Sequence, residues 1–123
     1  MIDLNLSANE QKRVGELAAE NLRQGSGLSD LTKRLQEEFS WDIYRAIEVG
    51  GFTLDTIRME LLLESYREGG QTMKYWRTST NPCPVCAKNS GQGLPLDDTF
   101  PSGDKLPPVH VGCRCVVLPF RLS

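Results

Sequence analysis

Five side chains in the last third of the chain have the chemistry and spacing to hold a metal ion. Cys83-Pro84-Val85-Cys86 sets two thiols either side of a two-residue spacer, which lets both sulfurs reach one ion from a tight turn. Pro82 and Pro84 stiffen that turn. Further on, after Pro107-Pro108, comes His110-Val111-Gly112-Cys113-Arg114-Cys115. Two chelating halves joined by a loop form the usual layout of a tetrahedral structural zinc site. Zinc in a structural role is therefore the expected cofactor.

The expected ligands are four of the five residues Cys83, Cys86, His110, Cys113 and Cys115. Cys83 and Cys86 supply one half. Cys113 and Cys115 share a face if their segment is extended, and His110 and Cys113 stand at the separation a turn brings together. The second half stays open between His110 with Cys115 and Cys113 with Cys115. The leftover donor sits behind the ligands or packs as a small hydrophobe.

Other chemistries fit less well. Two disulfides would suit a secreted protein, but Met1-Ile2-Asp3-Leu4 opens no basic and then apolar leader, so use in the cytoplasm is expected. A redox Cys-x-x-Cys would sit in a βαβ pattern, which is missing here. Haem attachment needs histidine where Ala87 stands. A zinc deaminase places its His-x-Glu before the Pro-Cys-x-x-Cys, and the sole histidine comes after it. With only Cys and His donors and no open position, the site reads as structural, with no catalytic residue and no enzyme activity.

The elements around the site fall into two parts. Residues 1–72 hold eight Lys/Arg against thirteen Asp/Glu, and residues 73–123 hold six against three. Thiolates and a divalent ion would cut the tail's +3 to about +1 or +2, too little to argue nucleic-acid binding from charge alone. Hydrophobic residues make up 39% of the chain, which suits a folded domain, and no apolar run approaches the ~20 residues a membrane helix needs.

Val14, Leu17, Ala18 and Leu22 predict an amphipathic helix over about residues 9–24, ended by Gly25-Ser26-Gly27. Ser29 is a candidate cap for a second helix with the stripe Leu31, Leu35, Phe39. A short third helix is expected from Asp42 to Val49, stopped by Gly50-Gly51, and a fourth from about Leu54 to Glu68. Apolar residues on several faces of the fourth mark it as the central, most buried helix, and Gly69-Gly70 ends it. Trp41 and Tyr44 are expected to pack between helices.

Met73 to Thr78 reads as a strand, with Tyr75 and Trp76 as core rather than a base-stacking platform. Residues 81–108 are loop chemistry with a hairpin near Asp98-Thr99-Phe100, and Val116-Val117-Leu118 is a last short strand. Lys88, Lys105 and Arg114 read as solvated or as screening the thiolates. The expected fold class is α+β: an N-terminal bundle of about four helices in 1–72, then a small loop-rich, zinc-stapled β module in 73–123. So loop-rich a module cannot offset an ordering entropy of roughly 1–2 kcal/mol per residue without a staple.

The segments Trp76-Arg77-Thr78, Cys83-Pro84-Val85-Cys86, Phe100 and Pro107-Pro108-Val109-His110-Val111-Gly112-Cys113-Arg114-Cys115 resemble the C-terminal domain of the phage Mu protein F-like minor head proteins, the phage head morphogenesis family. Upstream, Gly27-Leu28-Ser29, Arg45-Ala46 and Glu68-Gly69-Gly70 are similar to its helical part, so the likeness spans about residues 20–119. Asp55-Thr56-Ile57-Arg58 departs from the family's Arg-Thr-Glu, and Val111-Gly112 from its usual Pro-Asn. Family members tend to extend further on the N-terminal side.

The resemblance implies a phage or prophage minor capsid protein. Its expected role is to dock on portal or capsid protein during head assembly, in the host cytoplasm and then in the virion head. Packaged DNA is a second candidate partner. The competing expectation is a zinc-stabilised nucleic-acid-binding module, motivated by the basic tail with Trp76 and Arg77. Neither a membrane nor a small-molecule substrate is expected.

Overall fold

The computed structural model describes residues 4–78, 83–110 and 113–120. The described residues form four helices, three of them N-terminal, and a small three-stranded antiparallel sheet. Contacts divide the chain into two compact units, Ile2–Ile57 and Arg58–Ser123.

The first unit opens with α1, Ala8–Arg23. Ser7 and Glu10 start it with a reciprocal capping box, at 3.1 Å and 2.9 Å, which satisfies two otherwise orphaned backbone N–H groups. Val14, Leu17, Ala18 and Asn21 are its buried face. The Asn21 amide donates to the Gly27 carbonyl at 2.8 Å and so ties the end of α1 to the start of α2, Leu28–Phe39. Gly27, rather than Ser29, is the residue at the α2 N-cap, and it offers no side chain to the helix. Leu31 and Leu35 are fully buried, and Phe39 stacks on Trp41 at 4.5 Å.

Gly50-Gly51 does not stop a helix. One helix, α3, runs from Ile43 to Glu68 through both glycines, capped by Asp42, whose carboxylate accepts from the Arg45 amide at 2.8 Å. The reason lies in packing. A Cβ on Gly50 would stand 3.2 Å from Leu35 and 3.4 Å from both Leu28 and Leu31. Glycine there admits three leucines of α2 against the α3 backbone. Ala46, Val49 and Leu54 of α3 join the same core as Val14, Leu17, Leu31 and Leu35.

Nor is the second half of α3 buried on every side. Leu63 is buried, and Met59 and Tyr66 pack on the second unit's core, but Leu61 is 60% exposed. Tyr44 is 81% exposed instead of packed between helices. At its far end α3 stops at Gly70, whose φ of +83° suits glycine and lets the Gln71 amide return to the Tyr66 carbonyl at 2.9 Å.

In the second unit β1, Met73–Arg77, is the central strand, flanked by β2, Gly93–Pro95, and β3, Val116–Phe120, both antiparallel to it. Helix α4, Pro84–Asn89, lies between β1 and β2 in sequence. The expected hairpin near Asp98 is absent; the second strand lies earlier, and residues 96–106 form an irregular loop. Trp76 exchanges its backbone bonds with Gln92 and Gly91 on the β2 side. Alternation then turns the backbone groups of Val117 and Pro119 outward on β3, and those of Gly93 and Pro95 outward on β2. The outward Val117 carbonyl accepts from the Tyr66 hydroxyl at 2.9 Å.

Lys74 organises the loop. It is fully buried on the Trp76 face of β1, and its ammonium donates to the carbonyls of Asp98 at 2.6 Å and Lys105 at 2.7 Å. It also lies 4.8 Å from the centre of the Phe100 ring, which packs edge-on against Trp76 at 4.8 Å. Two of the loop's carbonyls go to that cation, while the Phe100 amide bonds the Asp104 carbonyl and the Gly103 amide the Phe100 carbonyl, both at 2.8 Å, so the loop closes a tight turn instead of a hairpin ladder. Asn89 adds a second buried tie, bonding the Ser102 amide at 3.0 Å and hydroxyl at 2.7 Å. Arg67 grips Asp97 with two bonds, at 2.8 Å and 3.0 Å, and Lys105 pairs with the same carboxylate at 3.2 Å.

Two stability measurements check these assignments. Gly51→Ala meets only Leu28 at 3.8 Å, so it should add up to about 1 kcal/mol of stability from helix propensity, read as a higher urea midpoint. Gly50→Leu should instead cost about 1–3 kcal/mol by overpacking. Lys74→Met leaves two carbonyls without their donor and should cost roughly 2–6 kcal/mol, at about 1–3 kcal/mol for each unsatisfied group. Burial, aided by the Lys105 charge, pushes Lys74 down to about 8. An unfolded lysine titrates near 10.4, so the unfolded chain binds the extra proton between those values. Over that window the wild type should gain stability relative to Lys74→Met as pH rises; a flat difference would contradict the buried ammonium.

Candidate metal centre

The first chelating half is the start of α4. Cys83 is its N-cap, extended at φ −69° and ψ 164°, and Pro84 enters the first turn, where a missing N–H costs nothing. This geometry aims the Cys86 amide at the Cys83 sulfur, 3.4 Å away, and brings both sulfurs to one side of a single turn. Cys83 is half-buried and Cys86 buried.

The second half is the approach to β3. The Cys113 amide donates to the His110 carbonyl at 3.2 Å, which ties the backbones of these two residues together. Cys115 directly precedes Val116, whose pairing with Arg77 anchors this segment to β1. Because α4 follows β1 closely in sequence and β3 pairs with β1, the central strand brings both halves to one end of the sheet. Pro82, Val111 and Gly112, which belong to the same motifs, lie outside the described residues.

Cys86 is where the halves meet. Its sulfur is 3.8 Å from His110 Nε2 and 3.8 Å from the Cys113 sulfur. Cys83, Cys86 and His110 form one group whose donor atoms all lie within 4.8 Å of one another, and Cys86, Cys113 and Cys115 form a second. Each group could hold a metal ion, and between them they contain all five residues expected from the sequence.

Zinc bonded to sulfur at about 2.3 Å in a tetrahedron has sulfur–sulfur edges of about 3.8 Å, so the observed spacing fits the donor set without rearrangement of Cys86 and Cys113. The four cysteines are free thiols, and 3.8 Å is far beyond a disulfide bond of about 2.05 Å.

The electrostatics suit a bound cation. The Cys86 amide holds the Cys83 thiol below its usual range. Burial pushes Cys86 far up, and the surrounding sulfurs add to the effect. Burial also raises Cys113, against a downward pull from the backbone at Val109 and Cys115. A sulfur buried among sulfurs is a poor place for a bare anion, and a divalent ion would remove that penalty.

Around the cluster, Trp76, Phe100 and Val117 form a dry wall together with Cys86 and Cys115. Trp76 is core, as its place in the strand suggested, while Tyr75 is half-buried and stacks on Phe120 at 6.0 Å. Lys88 and Arg114 are exposed. The residues that reasoning from sequence passed over are Lys74, Asn89 and Ser102. Alternation along β1 carried the signal for one of them: if Trp76 faces inward, so does Lys74, two residues before it.

No significant match was found among curated proteins or among solved structures. The family model described as phage Mu protein F like protein matches residues 12–118, which takes in α2, α3, α4, nearly all of the sheet and the whole Cys/His cluster. With most of its length matched, and with the two-part cluster and Trp76 strand that the motif calls for, the chain belongs to the phage Mu protein F-like family.

Proposed function

We propose that this chain is a non-catalytic docking module of the phage head, which binds portal or capsid protein during assembly and whose C-terminal part is stapled by one structural zinc ion. Family membership over residues 12–118 is the observation that carries the reading. The family is one of structural head proteins, which points to head morphogenesis as the process, to capsid-related partners and to the virion as the place. No described helix is long and apolar enough to cross a membrane.

The zinc claim rests on the donor set. Cys83, Cys86, His110, Cys113 and Cys115 offer sulfur and imidazole nitrogen only, the ligands of closed zinc sites. When bound, the ion supplies charge neutralisation and a crosslink between the start of α4 and the approach to β3. The competing nucleic-acid reading relied partly on Trp76, which is fully buried and so gives no base a face to stack on.

Co-expression with the portal and the major capsid protein of the same phage or prophage tests docking. Co-elution with one of them on size exclusion, and presence of the chain in purified heads, is the expected result. Failure to associate with either, with no chain in the heads, would overturn it.

Metal analysis should find one equivalent of zinc. The two tryptophans fall in separate units, so a Trp41→Phe variant reports on the second through Trp76 alone. Chelation should shift Trp76 emission to that of a solvated indole and lower the melting temperature. A folded protein indifferent to chelator would sink the staple.

A further inference from the structure

We infer that an exposed apolar strip on the first half of α3 is a docking face, and that it takes an amphipathic helix of a partner protein, apolar along one side and bordered by Lys or Arg. The inference rests on the docking reading above and names the surface and the chemistry of the partner.

Four side chains make the strip. Ile43, Tyr44 and Ile47 of α3 are 49%, 81% and 43% exposed, and Leu28 of α2 is 36% exposed. Helical spacing joins them to Gly51. Ile43, Ile47 and Gly51 follow one another at four residues, and Tyr44, Ile47 and Gly51 at three and then four. They therefore lie along one side of α3 over about 12 Å, at about 1.5 Å per residue. Leu28 closes the strip at Gly51, where a Cβ would stand 3.8 Å from its side chain. Single apolar residues on a surface are ordinary, but a contiguous run with an exposed tyrosine has the composition of a recognition site.

Gly51 is an independent observation. Gly50 has a reason inside the fold, since three leucines of α2 stand against it. Gly51 has none: it lies within a helix, its φ is not positive, and Leu28 at 3.8 Å leaves room for a methyl group. Glycine there forgoes helix propensity that alanine would supply. What it gives instead is bare α3 backbone between Ile47 and Leu28, a shallow notch open to close approach from outside.

Charge selects the occupant. Residues 2–57 hold ten Asp/Glu against six Lys/Arg. Arg13 is engaged by Glu16 and Glu38, Arg34 by Glu20, and Arg45 lies over the Trp41 ring. Glu48, one turn beyond Tyr44 on the border of the strip, is exposed and meets no cation among the described residues. A second copy would bring the same carboxylates to a two-fold contact, and nucleic acid or an anionic lipid surface would meet the same repulsion. A helix bordered by Lys or Arg offers apolar side chains to the strip and opposite charge to its rim.

Calorimetric titration of the full chain with the portal and the major capsid protein of the same phage or prophage tests this. Tyr44→Glu and Ile47→Glu should each weaken binding about tenfold or more, with melting close to wild type because neither side chain is buried. Gly51→Leu should fill the notch and lose binding while the helix keeps its stability. Glu48→Lys should weaken binding by roughly several-fold, and wild-type binding should fall with added salt.

Full binding by Tyr44→Glu and Ile47→Glu would remove the strip as the docking face yet leave docking itself standing. A wild type that binds neither protein would overturn both. Binding that Glu48→Lys tightens would reverse the charge of the partner. A wild-type dimer that Tyr44→Glu turns into a monomer would give the face to a second copy.

Discussion

Ordering a backbone costs roughly 1–2 kcal/mol per residue, and an irregular loop recovers little of that through apolar burial. The unit from Arg58 to Ser123 lives under this constraint, since a three-stranded sheet with strands of three to five residues carries most of its regular structure beyond α3. It answers with polar groups placed where water cannot compete. Lys74 holds two loop carbonyls from inside the sheet, Asn89 holds Ser102, and the Cys/His cluster gathers the remaining ends. A buried ammonium is costly in isolation, but here its donors meet carbonyls and an aromatic face, so removing it would cost more than keeping it. The Cys/His cluster and the lysine therefore lie at different places around one central strand, β1.

Much of this was legible in the sequence, and the parts that were not have physical reasons. The periodicity of Val14, Leu17 and Ala18 marked α1, and Leu31 and Leu35 marked α2, because burial of one helical face leaves a pattern that no tertiary detail disturbs. Gly50-Gly51 misled because glycine has two uses. It ends helices, and it also lets another element approach the backbone; only the three leucines opposite Gly50 decide between them, and they lie some twenty residues away in sequence.

The hairpin expected at Asp98 failed for a similar reason. Turn-forming residues mark where a chain can bend, not what its carbonyls will bond, and the Lys74 ammonium lies 24 residues upstream. The cluster itself was fully legible, because donor type and spacing survive any detail of folding. Which four of the five donors would hold an ion was not, since donor type and spacing leave that open.

The family gives the chain its setting, and the geometry gives the motif a physical meaning. The Cys83–Cys86 turn follows the Trp76 strand closely, and the His110–Cys115 segment lies more distant in sequence, yet one central strand brings them together. Trp76 forms the dry wall, α4 presents the first two donors, and β3 anchors the rest. Read this way, the motif is a recipe for closing a small sheet against a loop.

The outward prolines of the sheet bear on what its edges can pair with. Pro95 on β2 and Pro119 on β3 occupy outer-edge positions where any other residue would offer a backbone N–H, and on the β3 edge the Tyr66 hydroxyl donates to the Val117 carbonyl. A neighbouring strand therefore finds no continuous ladder to extend.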